Sequence, residues 1–153
     1  MNNITEQHLT QMLDRDYCLE KKQKICKLAA GISRKVVHVF ENEYGNYLFD
    51  NCAVNLGSPT SPKEMLVSGN VSARHVYSVM KNHDNEVFDY TKKEFRSARS
   101  LLYCAMSSLS ELQHDVVNYA VNSITDALYA AQGCRNTSDS IKASIACFDR
   151  DWE

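Results

Sequence analysis

The sequence predicts an all-α protein, a single domain over residues 1–153 built from about seven to nine short-to-medium helices. Three observations support this. Apolar residues recur at spacings of three and four along most of the chain, and strand-like alternation is absent. Serine, threonine and asparagine stand where helices would begin, and glycine where they would end. Only five glycines and two prolines occur in 153 residues, too few for the turns of a many-stranded sandwich or barrel.

Thr5 is placed to cap a first helix carrying Leu9, Met12 and Leu13. Tyr17, Cys18, Ile25, Leu28 and Ala29 predict a second, closed by Gly31. Ser33 then opens a third through Val36, Val37, Val39, Phe40 and Tyr44 to Gly45. The β-branched run Val36–Val39 is compatible with a strand, but its flanks favour helix. Further helices are expected from Asn46 to Gly57 and from the capping box Ser61-Pro62-Lys63-Glu64 to Gly69. Another should begin near Asn70 or Ser72 and carry Ala73, Val76, Tyr77 and Met80.

After a polar break at 82–85, Val87, Phe88, Phe95, Ala98, Leu102, Ala105, Met106 and Leu109 predict a long helix. Ser108-Leu109-Ser110-Glu111 reads as a turn with a second capping box. The next helix has Leu112, Val116, Ala120, Ile124, Ala127, Leu128 and Ala131 as its inward stripe and ends at Gly133. Ser138 is expected to cap the last helix, with Ile141, Ile145 and Phe148 inside.

Hydrophobic residues make up 44% and charged residues 24%, as in an ordinary globular chain. No apolar run approaches the ~20 residues that cross a bilayer, and the polar N-terminus has no leader-like stretch; a cytoplasmic address is expected. The six cysteines (18, 26, 52, 104, 134 and 147) never fall at C-x₂-C spacing. Most are expected to be small core residues. The net charge of −2 is blocked: residues 1–35 and 91–110 are net basic, 36–90 and 111–153 net acidic. No nucleic-acid footprint follows from that pattern.

Motifs for catalysis, metal or cofactor are not found. His38 and Glu41 stand three apart on a helix but lack the further carboxylates of a di-metal bundle. No Gly-rich phosphate loop or nucleophile elbow occurs. The expectation is therefore no catalytic residue, no metal and no cofactor. Lys21, Lys22, Lys24, Lys27 and Lys35, and again Lys92, Lys93, Arg96 and Arg99, read as solvated helix faces. The acidic residues are more suggestive. Glu41, Glu43 and Asp50 gather at one helix end and Asp84, Glu86 and Asp89 at a polar break, with Tyr44 and Tyr47 nearby. Carboxylates rimmed by tyrosines suit capture of a basic protein, so these eight residues are the candidate partner-binding set.

The runs Val37-His38-Val39-Phe40-Glu41-Asn42-Glu43-Tyr44 and Val67-Ser68-Gly69-Asn70-Val71-Ser72-Ala73-Arg74, with alanine-rich closing helices, resemble small helical immunity proteins of bacterial polymorphic-toxin and contact-dependent inhibition systems. The similarity spans roughly residues 36–131. It departs where Gly45-Asn46-Tyr47-Leu48 stands in place of that group's Pro-x-Asp-x-Arg-Pro stretch, and it transfers no contact residues. The resemblance implies a cytoplasmic inhibitor that occludes a cognate toxin, in many cases a basic nuclease, with neither nucleic acid nor membrane as partner. The rival readings are a helical enzyme with an unrecognised site and a helical adaptor that self-associates through 111–131.

Overall fold

Residues 4–44 and 91–151 are described by the computed structural model, and every regular element among them is a helix. There are five: α1 (Glu6–Asp14), α2 (Leu19–Tyr44), α3 (Lys93–Leu109), α4 (Gln113–Ala130) and α5 (Arg135–Asp151). The helices expected between residues 46 and 80 lie outside the described residues.

Thr5 caps α1 as the sequence predicts, its hydroxyl accepting from the backbone N–H of His8 at 3.1 Å. Leu9, Met12 and Leu13 are buried beneath it. The second and third expected helices are one. α2 runs unbroken for 26 residues, about 39 Å at 1.5 Å per residue, straight through Gly31 and Ser33. Ser33 caps nothing; its hydroxyl donates back to the carbonyl of Ala30 at 3.1 Å. Continuity is imposed by packing, because Ala29, Ala30, Ile32, Val36 and Val37 on either side of Gly31 are all buried. Gly31 itself is exposed, with nothing within 4 Å of where a Cβ would sit. Gly31→Ala should therefore stabilise the fold by about 1 kcal/mol in urea unfolding, the helix-propensity difference with no steric penalty.

α3 and α4 form a tightly packed pair, with α2 laid across both. Ala98, Ala105, Ala120 and Ala127 allow the close approach. Buried serines cross-link it. The Ser100 hydroxyl donates to the Ser123 carbonyl and the Ser123 hydroxyl to the Ser100 carbonyl, both at 2.7 Å. Ser107 donates to Val116 O at 2.7 Å, and Ser97 to Val36 O on α2 at 2.5 Å. Each hydroxyl is satisfied by a backbone oxygen, so a polar seam runs through the interior without an orphaned donor. Around it one apolar cluster draws residues from all five helices.

Two further helix starts and two stripe positions differ from expectation. The hydroxyls of Ser108 and Ser110 turn back onto the carbonyls of Cys104 and Met106, so no capping box forms and α4 starts after Leu112. α5 starts at Arg135, three residues before Ser138, with the Cys134 thiol against the Thr137 hydroxyl at 3.0 Å. Leu112 and Met106, expected inside, are 69% and 40% exposed. Gly133 does close the α4 turn, at φ +86°.

Candidate functional site

The predicted partner-binding set is only partly within the described residues. Glu41, Glu43 and Tyr44 occupy the last turn of α2; Tyr47, Asp50, Asp84, Glu86 and Asp89 lie outside. Glu43 is exposed. Glu41 is not the surface carboxylate expected: it is only 9% exposed, because it follows Val37 by four residues and shares that helix's buried stripe. His38 is exposed, so the two do not form a pair on one face.

The basic runs also divide. Lys21 is wholly buried, its ammonium donating to the carbonyl of Met12 at 2.8 Å and to that of Arg15. It also stands 5.9 Å from the centroid of the Phe148 ring. The charge thus closes the C-terminal end of α1, where free carbonyls and the helix dipole favour a cation. Burial, and then the nearby Arg15 charge, hold its pKa below the ordinary lysine value.

Arg96 and Arg99, read as a solvated stripe, converge on Asp126, which is 2% exposed. Arg99 contacts both carboxylate oxygens, at 2.7 and 2.9 Å, and Arg96 one at 3.0 Å. The guanidinium of Arg96 lies 4.7 Å from the Tyr129 ring, and that of Arg99 lies between Phe95 and Tyr103. Tyr129 in turn donates to Thr91 O at 2.8 Å. This is a structural lock between α3 and α4: the carboxylate's oxygens are occupied by fixed donors.

Three of the five described cysteines are exposed, contrary to the core expectation; only Cys104 is buried and Cys26 half-buried. Burial pushes the Cys26 thiol up, with the hydroxyls of Ser107 and Ser108 pulling the other way. The Cys134 thiol is held below its ordinary value by the hydroxyl and backbone N–H of Thr137. Among the described residues no group of three or more His, Cys, Asp or Glu side chains is placed to hold a metal ion. A shallow groove of about 540 Å³ between α2 and α5, lined by Lys24, Lys27, Leu28 and Phe148 among others, brings no set of reactive groups together.

The feature the sequence reading missed lies at the opposite end from Glu43. The α1–α2 and α3–α4 turns meet there, joined by the Gln113 amide donating to the Asp14 carboxylate at 3.1 Å. Leu19 at the first residue of α2 is 71% exposed, Leu112 just before α4 is 69% exposed, and Met106 stands on the last turn of α3. Asp14, Asp16, Glu20, Glu111 and Asp115 belong to the same two turns and the helix ends that flank them. Of the basic side chains there, Arg15 is tied to Asp149 on α5 at 2.8 Å, Lys21 is buried against the carbonyls of Met12 and Arg15, and Lys22 is half-buried.

No family model matches the chain, and comparison with curated proteins and with solved structures finds no match either. No helix among the described residues is long and apolar enough to cross a membrane.

Proposed function

We propose that this chain is an immunity-type binding protein: it captures a cognate toxin domain in a stoichiometric complex and covers that domain's active or substrate-binding surface. One observation carries the reading. Large apolar side chains stand in solvent at one end of a bundle whose buried Lys21 and Asp126 are both engaged by internal partners. Such groups give the molecule shape and rigidity, and large apolar side chains left in solvent at two adjoining turns, among charged residues, suit protein recognition. On this reading the protein works in the cytoplasm without catalysing a reaction. A nuclease is the toxin class that fits best, since an acidic cover complements a channel built for phosphates.

The adaptor alternative has less to recommend it. The alanine face of α4 that would mediate self-association is spent inside the fold, with Ala120, Ala127 and Ala130 buried. The test is co-expression of the toxic C-terminal domain encoded by the adjacent reading frame, with and without this chain. Restored growth together with a 1:1 complex on size exclusion is expected. Undiminished toxicity with no complex would overturn the assignment.

A further inference from the structure

We propose that the end of the bundle formed by the α1–α2 and α3–α4 turns is the docking surface, and that its occupant is a basic protein face with an apolar centre. The proposal rests on the reading of the chain as a binding protein and names which surface binds and what it binds.

Leu112 is the most telling residue. It holds the N-cap position of α4 in the extended conformation, φ −78° and ψ 134°, and makes no side-chain cap. Leucine is among the poorest residues at that position; serine, asparagine or aspartate would satisfy a free N–H and add about 1 kcal/mol. At 69% exposure it gains no compensating burial. Leu19 is 71% exposed at the first residue of α2, where a polar side chain would serve as well. Two leucines contributing neither cap nor core, at turns joined by the Asp14–Gln113 bond, indicate stability forgone for recognition.

The surface is also held in place before any partner arrives. The Lys21 ammonium secures the carbonyls of Met12, in the last turn of α1, and of Arg15 just after it; the exposed Gln113–Asp14 bond and Arg15–Asp149 pair tie the same region to α4 and α5 more weakly. A fixed surface loses little entropy on docking.

Charge selects the occupant. Asp14, Asp16, Glu20, Glu111 and Asp115 outnumber Arg15, Lys21 and Lys22 in the same region; Arg15 is engaged with Asp149, and Lys21 is buried against two backbone carbonyls. An acidic rim repels nucleic acid, an anionic membrane and a second copy of itself, and it steers a lysine- and arginine-rich protein surface into contact. The leucines and Met106 then enter its apolar centre. This surface is separated by most of the length of α2, about 39 Å, from Glu43.

The experiment uses the full chain with two probes: the toxin domain encoded by the adjacent reading frame, and a synthetic amphipathic helix with leucine on one face and lysine on the other. Leu19→Ser with Leu112→Ser should weaken binding of both probes by about 30-fold or more, as removal of central anchors does. Leu112→Ser alone should not lower Tm, which separates lost binding from lost folding. Glu20→Lys with Glu111→Lys should slow association about tenfold at low salt, and Asp139→Lys, an exposed position near the start of α5, should leave it unchanged. If the toxin domain binds every turn-end variant as tightly as the wild type, the surface is wrong while the binding reading stands. If only the Leu/Lys helix binds, and the serine variants abolish it, the surface stands and the immunity assignment falls. Binding of neither probe, or self-association in sedimentation that the serine variants abolish, would overturn the proposal.

Discussion

Asp126→Ala is expected to lower the unfolding free energy by about 3 kcal/mol, the lower end of the range for breaking a buried ion pair. The carboxylate is 2% exposed and accepts three hydrogen bonds from two arginines. Removing it leaves Arg96 and Arg99 facing each other across a small void. Their side chains are 25% and 26% exposed, so water reaches them and moderates the loss. Asp126→Asn keeps the volume and an acceptor oxygen and should recover part of the stability. Chemical denaturation of the two variants measures the difference; equal stability of wild type and Asp126→Ala would remove the lock from the account.

Lys21→Met is expected to destabilise by about 2–4 kcal/mol, because the carbonyls of Met12 and Arg15 lose a buried donor that methionine's similar volume does not replace. The effect carries a pH signature. A lysine whose pKa falls on folding binds fewer protons in the native state than in the unfolded chain. Its contribution to stability therefore rises with pH across the window below the unfolded value of 10.5. A neutral amine still has two N–H groups for the two carbonyls, so deprotonation removes the cost of burying charge without breaking the cap. The stability gap between wild type and Lys21→Met should accordingly widen towards pH 10. Tyr17 and Cys26, whose pKa values are raised mainly by burial, act in the opposite sense in both proteins and cancel in the difference. A gap that narrows with rising pH would contradict the buried-cation assignment.

The helical class, the Thr5 cap, the Gly133 stop and the inward positions of α1 and α5 were legible because each depends on neighbours within one or two turns. Gly31 misled because its local preference to end a helix, worth about 1 kcal/mol, is outweighed by the burial of five apolar neighbours. Lys21 lay in a basic run that looks solvated from the sequence. What buries it is the end of α1 folding back beside it and Phe148 from the far end of the chain.

Asp126 had a readable signal. It stands three residues after Ser123 and four before Ala130, both buried, where an acid requires a cation, and Arg96 and Arg99 share one face of α3. The candidate surface was the least legible. Leu112 fits the inward stripe of α4 by spacing alone, and only the true start of that helix places it in solvent. Glu41 failed for the mirror reason, an acid at a buried register position read as surface.

Amide hydrogen exchange on this chain with and without the proposed toxin partner tests most directly whether it works by presenting its surface. Slowed exchange concentrated at residues 14–22 and 106–115, with the core of α3 and α4 unchanged, is the predicted footprint. Exchange unchanged everywhere, or slowed only around residues 41–44, would contradict it.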